Sequence, residues 1–242
     1  MQTSMLKNLK YILLIIVLFS ISFDANADST NVSFAKQNFK HKYISFSFGM
    51  GANYGNNTSL KNFIEKELPT YSTLTENDKL SDFFTGLDFF AGAEKQISKN
   101  FSVKVEYSYF LKSYNVKAIP NYDFTYTNHN PILSLFYVFP QDYSFIKFDI
   151  GSGYVLSKLN VQENGIEKSY TSTGFSLKTE LILNAQISKN FAGYISGTIA
   201  KTILSDLKDS NENLLKTNGT KETINLSSLG FGIRLGVEIF IF

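Results

Sequence analysis

The chain has 242 residues, with 23 Lys and Arg against 21 Asp and Glu, and its formal net charge is +2. A nucleic-acid binder usually carries a basic excess on one face, and the absence of cysteine excludes disulfides and thiolate chemistry. The size fits a single all-β domain, and 23 Phe, 14 Tyr and only 4 Pro suit a pleated, half-buried surface.

Residues 1–27 read as a secretory signal. Lys7 and Lys10 form a positive start, Tyr11 to Phe23 is almost unbroken apolar, and Ala25-Asn26-Ala27 is a small-x-small cleavage site before Asp28. The alternative is an anchoring helix, but the run falls short of the roughly 20 residues a spanning helix needs. Residues 28–42 are then a periplasmic lead-in and 43–242 the folded domain. No later run is long and apolar enough for a spanning helix, so strands alone could cross a bilayer.

The first strand alternates over a dozen positions. Ile44, Phe46, Phe48, Met50, Ala52 and Tyr54 share one face, and Ser45, Ser47, Gly49, Gly51, Asn53 and Gly55 the other. A second strand sets Leu87, Phe89, Ala91, Ala93 and Ile97 against Gly86, Asp88, Phe90, Gly92, Glu94 and Gln96. After Ser98-Lys99-Asn100, a third sets Phe101, Val103, Val105, Tyr107, Tyr109 and Leu111 against Ser102, Lys104, Glu106, Ser108, Phe110 and Lys112. The fourth, around Pro131 to Phe139, is apolar on both faces, which leaves its register open, and Pro131 marks an edge or a bulge.

The fifth strand sets Ile146, Phe148, Ile150, Tyr154 and Leu156 against Lys147, Asp149, Gly151 and Gly153. The sixth sets Phe175, Leu177, Leu181, Leu183, Ala185 and Ile187 against Gly174, Ser176, Lys178, Glu180, Asn184 and Gln186. Gln-Ile-Ser-Lys-Asn-Phe at Gln96–Phe101 recurs at Gln186–Phe191, as expected of two hairpins built to one plan. The seventh strand carries Phe191, Ile195 and Ile199, and the eighth runs from Leu229 to Ile241.

Tight turns join strands 2–3, 4–5 and 6–7, whereas long polar segments follow strands 1, 3, 5 and 7, near Asn56–Asp82, Ser113–Asn130, Lys158–Ser172 and Ser205–Ser227. Short turns at one end and long loops at the other describe an outer-membrane barrel. A soluble barrel with an apolar cavity alternates too. Against it stand strands of about twelve residues, longer than soluble strands of about 5–6, and an apolar face far larger than soluble monomers expose. The opposite face mixes small residues with charges of both signs. Glu94, Lys104, Glu106, Lys147, Asp149, Lys178, Glu180, Arg234 and Glu238 form a candidate lumen ion-pair network, because buried charges require partners. The expected architecture is an all-β, eight-stranded antiparallel up-and-down transmembrane barrel with short periplasmic turns and long extracellular loops.

With this strand pattern, the loop rhythm, the signal ending Ala25-Asn26-Ala27 and an aromatic C-terminus, the chain resembles the OmpA/OmpX-like small outer-membrane barrels over nearly all of residues 28–242. Its opening strand and Asn/Lys-rich loops are also similar to surface antigens of intracellular bacteria. The resemblance implies an outer-membrane location, a terminal phenylalanine read by the barrel-assembly machinery, and partners among outer-membrane lipids. One departure stands out: Phe242 and Phe240 share parity with Glu238 and Arg234, not with Ile241, Ile239 and Val237. Either a bulge or a loosely read terminal signal would reconcile this.

Chemistry is sparse. His41 falls on the periplasmic side, and His129, near Asp123 and Ser134, lacks the His-x-Ser arrangement of lipid A deacylases. Asp206, Asp209 and Glu212 read as solvated charge. No metal-ligand spacing or phosphate-cradling loop stands out, so no cofactor is expected. Leu60, Phe63, Ile64 and Leu68 have helical spacing in the first loop, and Tyr122, Phe124 and Tyr126 are spaced to extend strands three and four. The role expected is non-enzymatic: structural, or contacting extracellular or host molecules through the loops. The alternatives are a small gated porin-like channel and, more remotely, a lipid-modifying enzyme.

Overall fold

A computed structural model describes residues 43–67, 85–116, 122–140, 144–163, 165–188, 190–217 and 221–241, all within the compact unit Gln37–Phe242. The expected signal at 1–27, the lead-in at 28–42 with His41, Leu68 and Phe242 lie outside them. Eight strands follow in chain order: β1 Ile44–Asn56, β2 Thr85–Gln96, β3 Phe101–Val116, β4 Tyr122–Pro140, β5 Ser144–Glu163, β6 Ile166–Ser188, β7 Phe191–Leu204 and β8 Ser228–Ile241. Among the described residues one helix, α1, spans Thr58–Glu67 between β1 and β2. Each strand pairs antiparallel with its sequence neighbours, and β8 closes on β1.

The closure has a definite stagger. Cross-strand partners followed from Phe46 pass through Ala93, Val105, Leu133, Ser152, Leu177, Lys201 and Leu229, and return to β1 at Asn56. Position 56 is ten residues beyond 46, so the strands tilt strongly against the barrel axis. Within the closed wall each strand is paired on both sides, whereas the upper ends of β3 and β6 extend past β2 and β7.

Alternation becomes inside and outside. Ile44, Phe46, Phe48 and Met50 on β1, Leu133 and Leu135 on β4, and Ile233, Leu235 and Ile239 on β8 all point outward. The charged and small residues between them point in. An apolar band on every strand matches the roughly 25 Å lipid-facing belt of such barrels.

Three expectations need revision. The segments Ser113–Asn130 and Lys158–Ser172 are largely strand: β3–β4 pairing runs to Val116↔Tyr122, and β5–β6 pairing to Glu163↔Ile166. Gly165 turns the second hairpin at φ +83°, a left-handed conformation that favours glycine. The β3–β4 extension bears out the period-two spacing of Tyr122, Phe124 and Tyr126. Polar composition conceals the β5–β6 extension, which stands in water, where neither face must be apolar. Second, β4 keeps one register across Pro131 against both neighbours, with Ile132, Ser134, Phe136 and Val138 inward. Third, β8 pairs with β1 and β7 without a shift, so no bulge reconciles its end. Phe240 simply enters the lumen, 2% exposed, beneath Tyr43 and Phe145.

The repeated hexapeptide acts twice in the same way. Asn100 accepts from Val138 N through its backbone oxygen at 2.8 Å and donates its side-chain amide to Val138 O at 3.1 Å. Asn190 does the same to Phe240, at 2.9 and 2.8 Å. Each of these short turns thereby clasps the adjacent strand.

Candidate functional site: the lumen and its closures

Among the described residues, inward parity on five different strands delivers five cations and six carboxylates to the barrel interior, all nearly solvent-free. All but Lys112, which stands higher on β3, form two groups at different depths.

The lower group centres on Lys147 of β5. Its Nζ reaches Glu94 Oε2 of β2 and Glu238 Oε1 of β8, each at 2.8 Å. The two carboxylates are further held by neutral donors. Ser102 Oγ donates to Glu94 Oε1 at 2.6 Å and Tyr43 Oη at 3.1 Å, while Ser45 Oγ and Asn184 Nδ2 each reach Glu238 at 2.6 Å. Lys147 also lies 5.3 Å from the Phe145 ring centroid, within cation–π range.

The upper group centres on Glu106 of β3. Arg234 Nη1 and Lys178 Nζ approach its Oε1 at 2.8 and 2.9 Å, and Lys104 Nζ its Oε2 at 2.7 Å. Arg234 also grips Asp88 Oδ2 through Nε at 2.6 Å, and its guanidinium lies 4.7 Å from the Phe90 centroid. Lys178 reaches Glu180 at 2.8 Å and Asp149 more loosely at 3.5 Å. Long cations fit because their neighbours are glycine. A Cβ on Gly51 would stand 2.7 Å from Arg234 Cγ, and one on Gly92 would stand 2.6 Å from Lys104 Cε.

All nine residues of the candidate network therefore face the lumen and join one of the two groups. Asp88 belongs with them. It sits on the polar parity of its strand, but the sequence holds no sign that Arg234, 146 positions away, lies opposite.

Apolar clusters lie at both ends. Below, Tyr43, Phe90, Phe136, Val138, Phe145, Ile182, Tyr194 and Phe240 pack together among the lower ion pairs. Above, Leu60 of α1 joins Tyr114, Phe124 and Tyr126 from the β3–β4 extension, and Val155 and Leu159 of β5. Leu207, Ile224 and Leu226 from the β7–β8 connection complete this upper cluster. That connection folds back on itself, with Leu207 N donating to Ile224 O at 2.8 Å and Leu215 N to Leu207 O at 2.9 Å. Helix α1 starts at Asn57, whose Oδ1 accepts from Leu60 N at 2.9 Å and satisfies one of the free amides of the first turn.

The histidine reading is settled by parity. His129 faces outward, its Nδ1 2.5 Å from Tyr107 Oη, with the Tyr109 ring tilted against it at a centroid distance of 5.1 Å. Ser134 is buried on the lumen side. The two sit on opposite faces of β4 and cannot form a nucleophile–base pair.

No protein-family model matches the sequence, and no curated protein matches it. The fold, by contrast, matches solved structures. A major outer membrane protein from Thermus thermophilus superposes with a TM-score of 0.51 at 10% identity, over 82% of this chain and 99% of that one. Similar coverage is found for the attachment invasion locus protein Ail of Yersinia pestis, at 12% identity over 83% and 99% with a TM-score of 0.48. Neisserial surface protein A gives 10% identity over 82% and 96% with a TM-score of 0.45. With its closed eight-strand topology and all-round apolar belt, this chain has the fold of the small bacterial outer-membrane β-barrels.

Proposed function

We propose that the protein is a non-enzymatic outer-membrane scaffold whose lumen is shut and whose extracellular end, built from the β3–β4 and β5–β6 extensions, α1 and the β7–β8 connection, meets environmental or host molecules. The observation that carries this reading is the filling of the lumen: cross-strand ion pairs at two depths, packed among aromatic side chains below and capped by an apolar cluster above. Eight strands enclose a space just wide enough for side chains, so ions have no continuous aqueous path. Surface loops on a rigid scaffold commonly carry binding, and here the scaffold is held by the buried network.

The second reading is a narrow gated channel. It draws on the six carboxylates set against five cations among the described buried residues and on Asp149, whose looser pairing at 3.5 Å gives the network a movable member. Planar-bilayer recording on the purified protein separates the two. The scaffold reading expects no stepwise conductance, and well-resolved single-channel steps would overturn it. For the surface role, replacing the described part of the β7–β8 connection by a short Gly-Ser turn should abolish binding to host cells or matrix. Unchanged adhesion of correctly inserted protein counts against that role. Substituting His129→Ala should leave lipid A composition unchanged, and altered lipid A would revive the enzymatic alternative.

A further inference from the structure

We infer that the lumen layer between the upper ion pairs and the apolar cluster above them is a chamber that takes a small hydroxylated acid, about the size of one monosaccharide. The inference rests on the shut-lumen reading above and deepens it, because the network that stops ions also gives the chamber its floor.

Pairing and stagger define the layer. On β1, Gly51 lies beside Arg234, and the inward residues beyond it are Asn53, Gly55 and Asn57. Asn53 is paired with Gly86 of β2 and Gly232 of β8, and Gly55 with Gly230. Gly230 continues to Ala200 of β7, while Thr202 continues through Ser176 to Gly153 of β5. On the opposite wall Asn128 lies between Phe110 and Ser157. Small side chains thus line most of this layer, where the layer below carries long cations and the one above carries rings and leucines.

Exposure marks the space. Asn53, Gly55, Phe110, Asn128, Asn130 and Thr202 point inward yet stay partly accessible. Glu106, Lys178 and Arg234 below them are buried, and so are Phe124, Leu159 and Leu204 above. A Cβ placed on Gly55 would meet nothing within 4 Å.

The polar groups around this space have capacity to spare. Asn130 Oδ1 accepts from Ser176 Oγ at 3.0 Å and Asn53 Oδ1 from Thr198 Oγ1 at 3.5 Å, and neither amide nitrogen has a partner among the described residues. Asn57 Nδ2 and Ser172 Oγ are buried with no hydrogen-bond partner, although buried polar groups are normally satisfied. Asn57 follows Gly55 on the inward parity, and Ser172 pairs directly with Ser157, so both turn towards the chamber.

The lining selects the occupant. Amides and hydroxyls match hydroxyl groups, which both donate and accept, whereas an apolar solute would leave them unmatched. Lys112, two residues beyond Phe110 on the same inward face, is buried and brings a positive charge to this layer. A carboxylate would meet it in a charge-assisted hydrogen bond. The roof consists of side chains from α1 and the β7–β8 connection packed on the strand tops, so a solute enters when they part.

The test uses the full chain folded in detergent micelles, with binding of glucuronate and of glucose read by isothermal titration calorimetry. Wild type should bind one glucuronate per barrel, and glucose at least tenfold more weakly. K112M should lose about ten- to a hundredfold for glucuronate, the worth of a hydrogen bond to a charged group, and little for glucose. G55L fills the open space and should abolish binding of both sugars while keeping the mobility shift on boiling. S152A, outward on β5, should behave as wild type. The inference is overturned if wild type with an intact mobility shift shows no saturable binding, if G55L binds undiminished, or if glucose binds as tightly as glucuronate. Each of these results leaves the shut scaffold standing. Single-channel steps in a planar bilayer would instead remove the floor, and the shut-lumen reading with it.

Discussion

Replacing Lys147 by methionine tests the lumen most directly, because it leaves two carboxylates facing each other without their shared cation. Lys147 donates to Glu94 Oε1 and Oε2 at 3.0 and 2.8 Å and to Glu238 Oε1 at 2.8 Å. Breaking a buried pair by removing one partner costs about 3–5 kcal/mol. The lower end of that range applies, since Glu94 keeps Ser102 and Tyr43 and Glu238 keeps Ser45 and Asn184 as donors. The expected loss is thus about 3 kcal/mol for K147M. Methionine keeps most of the apolar stem, so little of the loss comes from packing. Neutralising both acids as well, in K147M/E94Q/E238Q, should recover most of it, because hydrogen-bonded amides replace uncompensated charge. Equilibrium urea unfolding in lipid vesicles, followed by tyrosine fluorescence and by gel mobility without boiling, reads both values. The reasoning fails if K147M loses less than about 1 kcal/mol, or if the triple variant is no more stable than K147M, since a non-additive coupling is the signature of a shared network.

Other expectations follow from particular contacts. G92V and G51V should each destabilise the barrel by about 1–3 kcal/mol through overpacking against Lys104 and Arg234, seen as a lower temperature of the mobility shift. N100A and N190A each remove the side-chain half of one clasp on a neighbouring strand and should cost about 1 kcal/mol apiece in the same unfolding assay, roughly additively because the two turns are separate. L207A or L226A should loosen the upper cluster by about 2–5 kcal/mol, with faster amide exchange in the β7–β8 connection and no change in the periplasmic turns.

The same connection carries a pH dependence. Hydrogen bonds from the Asn213 side chain and backbone, joined by Asn211, hold the Asp209 carboxyl below its ordinary value. A depressed carboxyl stabilises above its unfolded pKa, and that contribution is lost as pH falls through the lower folded value. Amide exchange at Asn211 and Asn213 should therefore accelerate relative to intrinsic rates below about pH 4. The D209A variant should show the fast exchange already at neutral pH, and an unchanged profile would show that the turn does not depend on the carboxylate.

Much of the molecule is legible from its residues in order, because a strand exposes alternate side chains to two different environments. Parity alone assigns Phe46 and Leu135 to lipid, and Lys147 and Glu180 to the lumen. It left the place of Phe240 open, and the unshifted pairing of β8 with β1 and β7 put that ring inside. Helical spacing likewise anticipated α1 through Leu60 and Phe63. Parity is silent about partners. Lys147 of β5 meets Glu94 of β2 and Glu238 of β8 because strand order and a ten-residue stagger bring three distant strands to one depth, and no local pattern encodes that closure. The long β5–β6 hairpin was also hidden, since strands standing in water need no apolar face. The upper closure came from Leu207, Ile224 and Leu226, whose burial follows from a connection folding back over the barrel mouth. The one-dimensional pattern determines which side of the wall each residue takes; the closed wall decides which residues then meet across it.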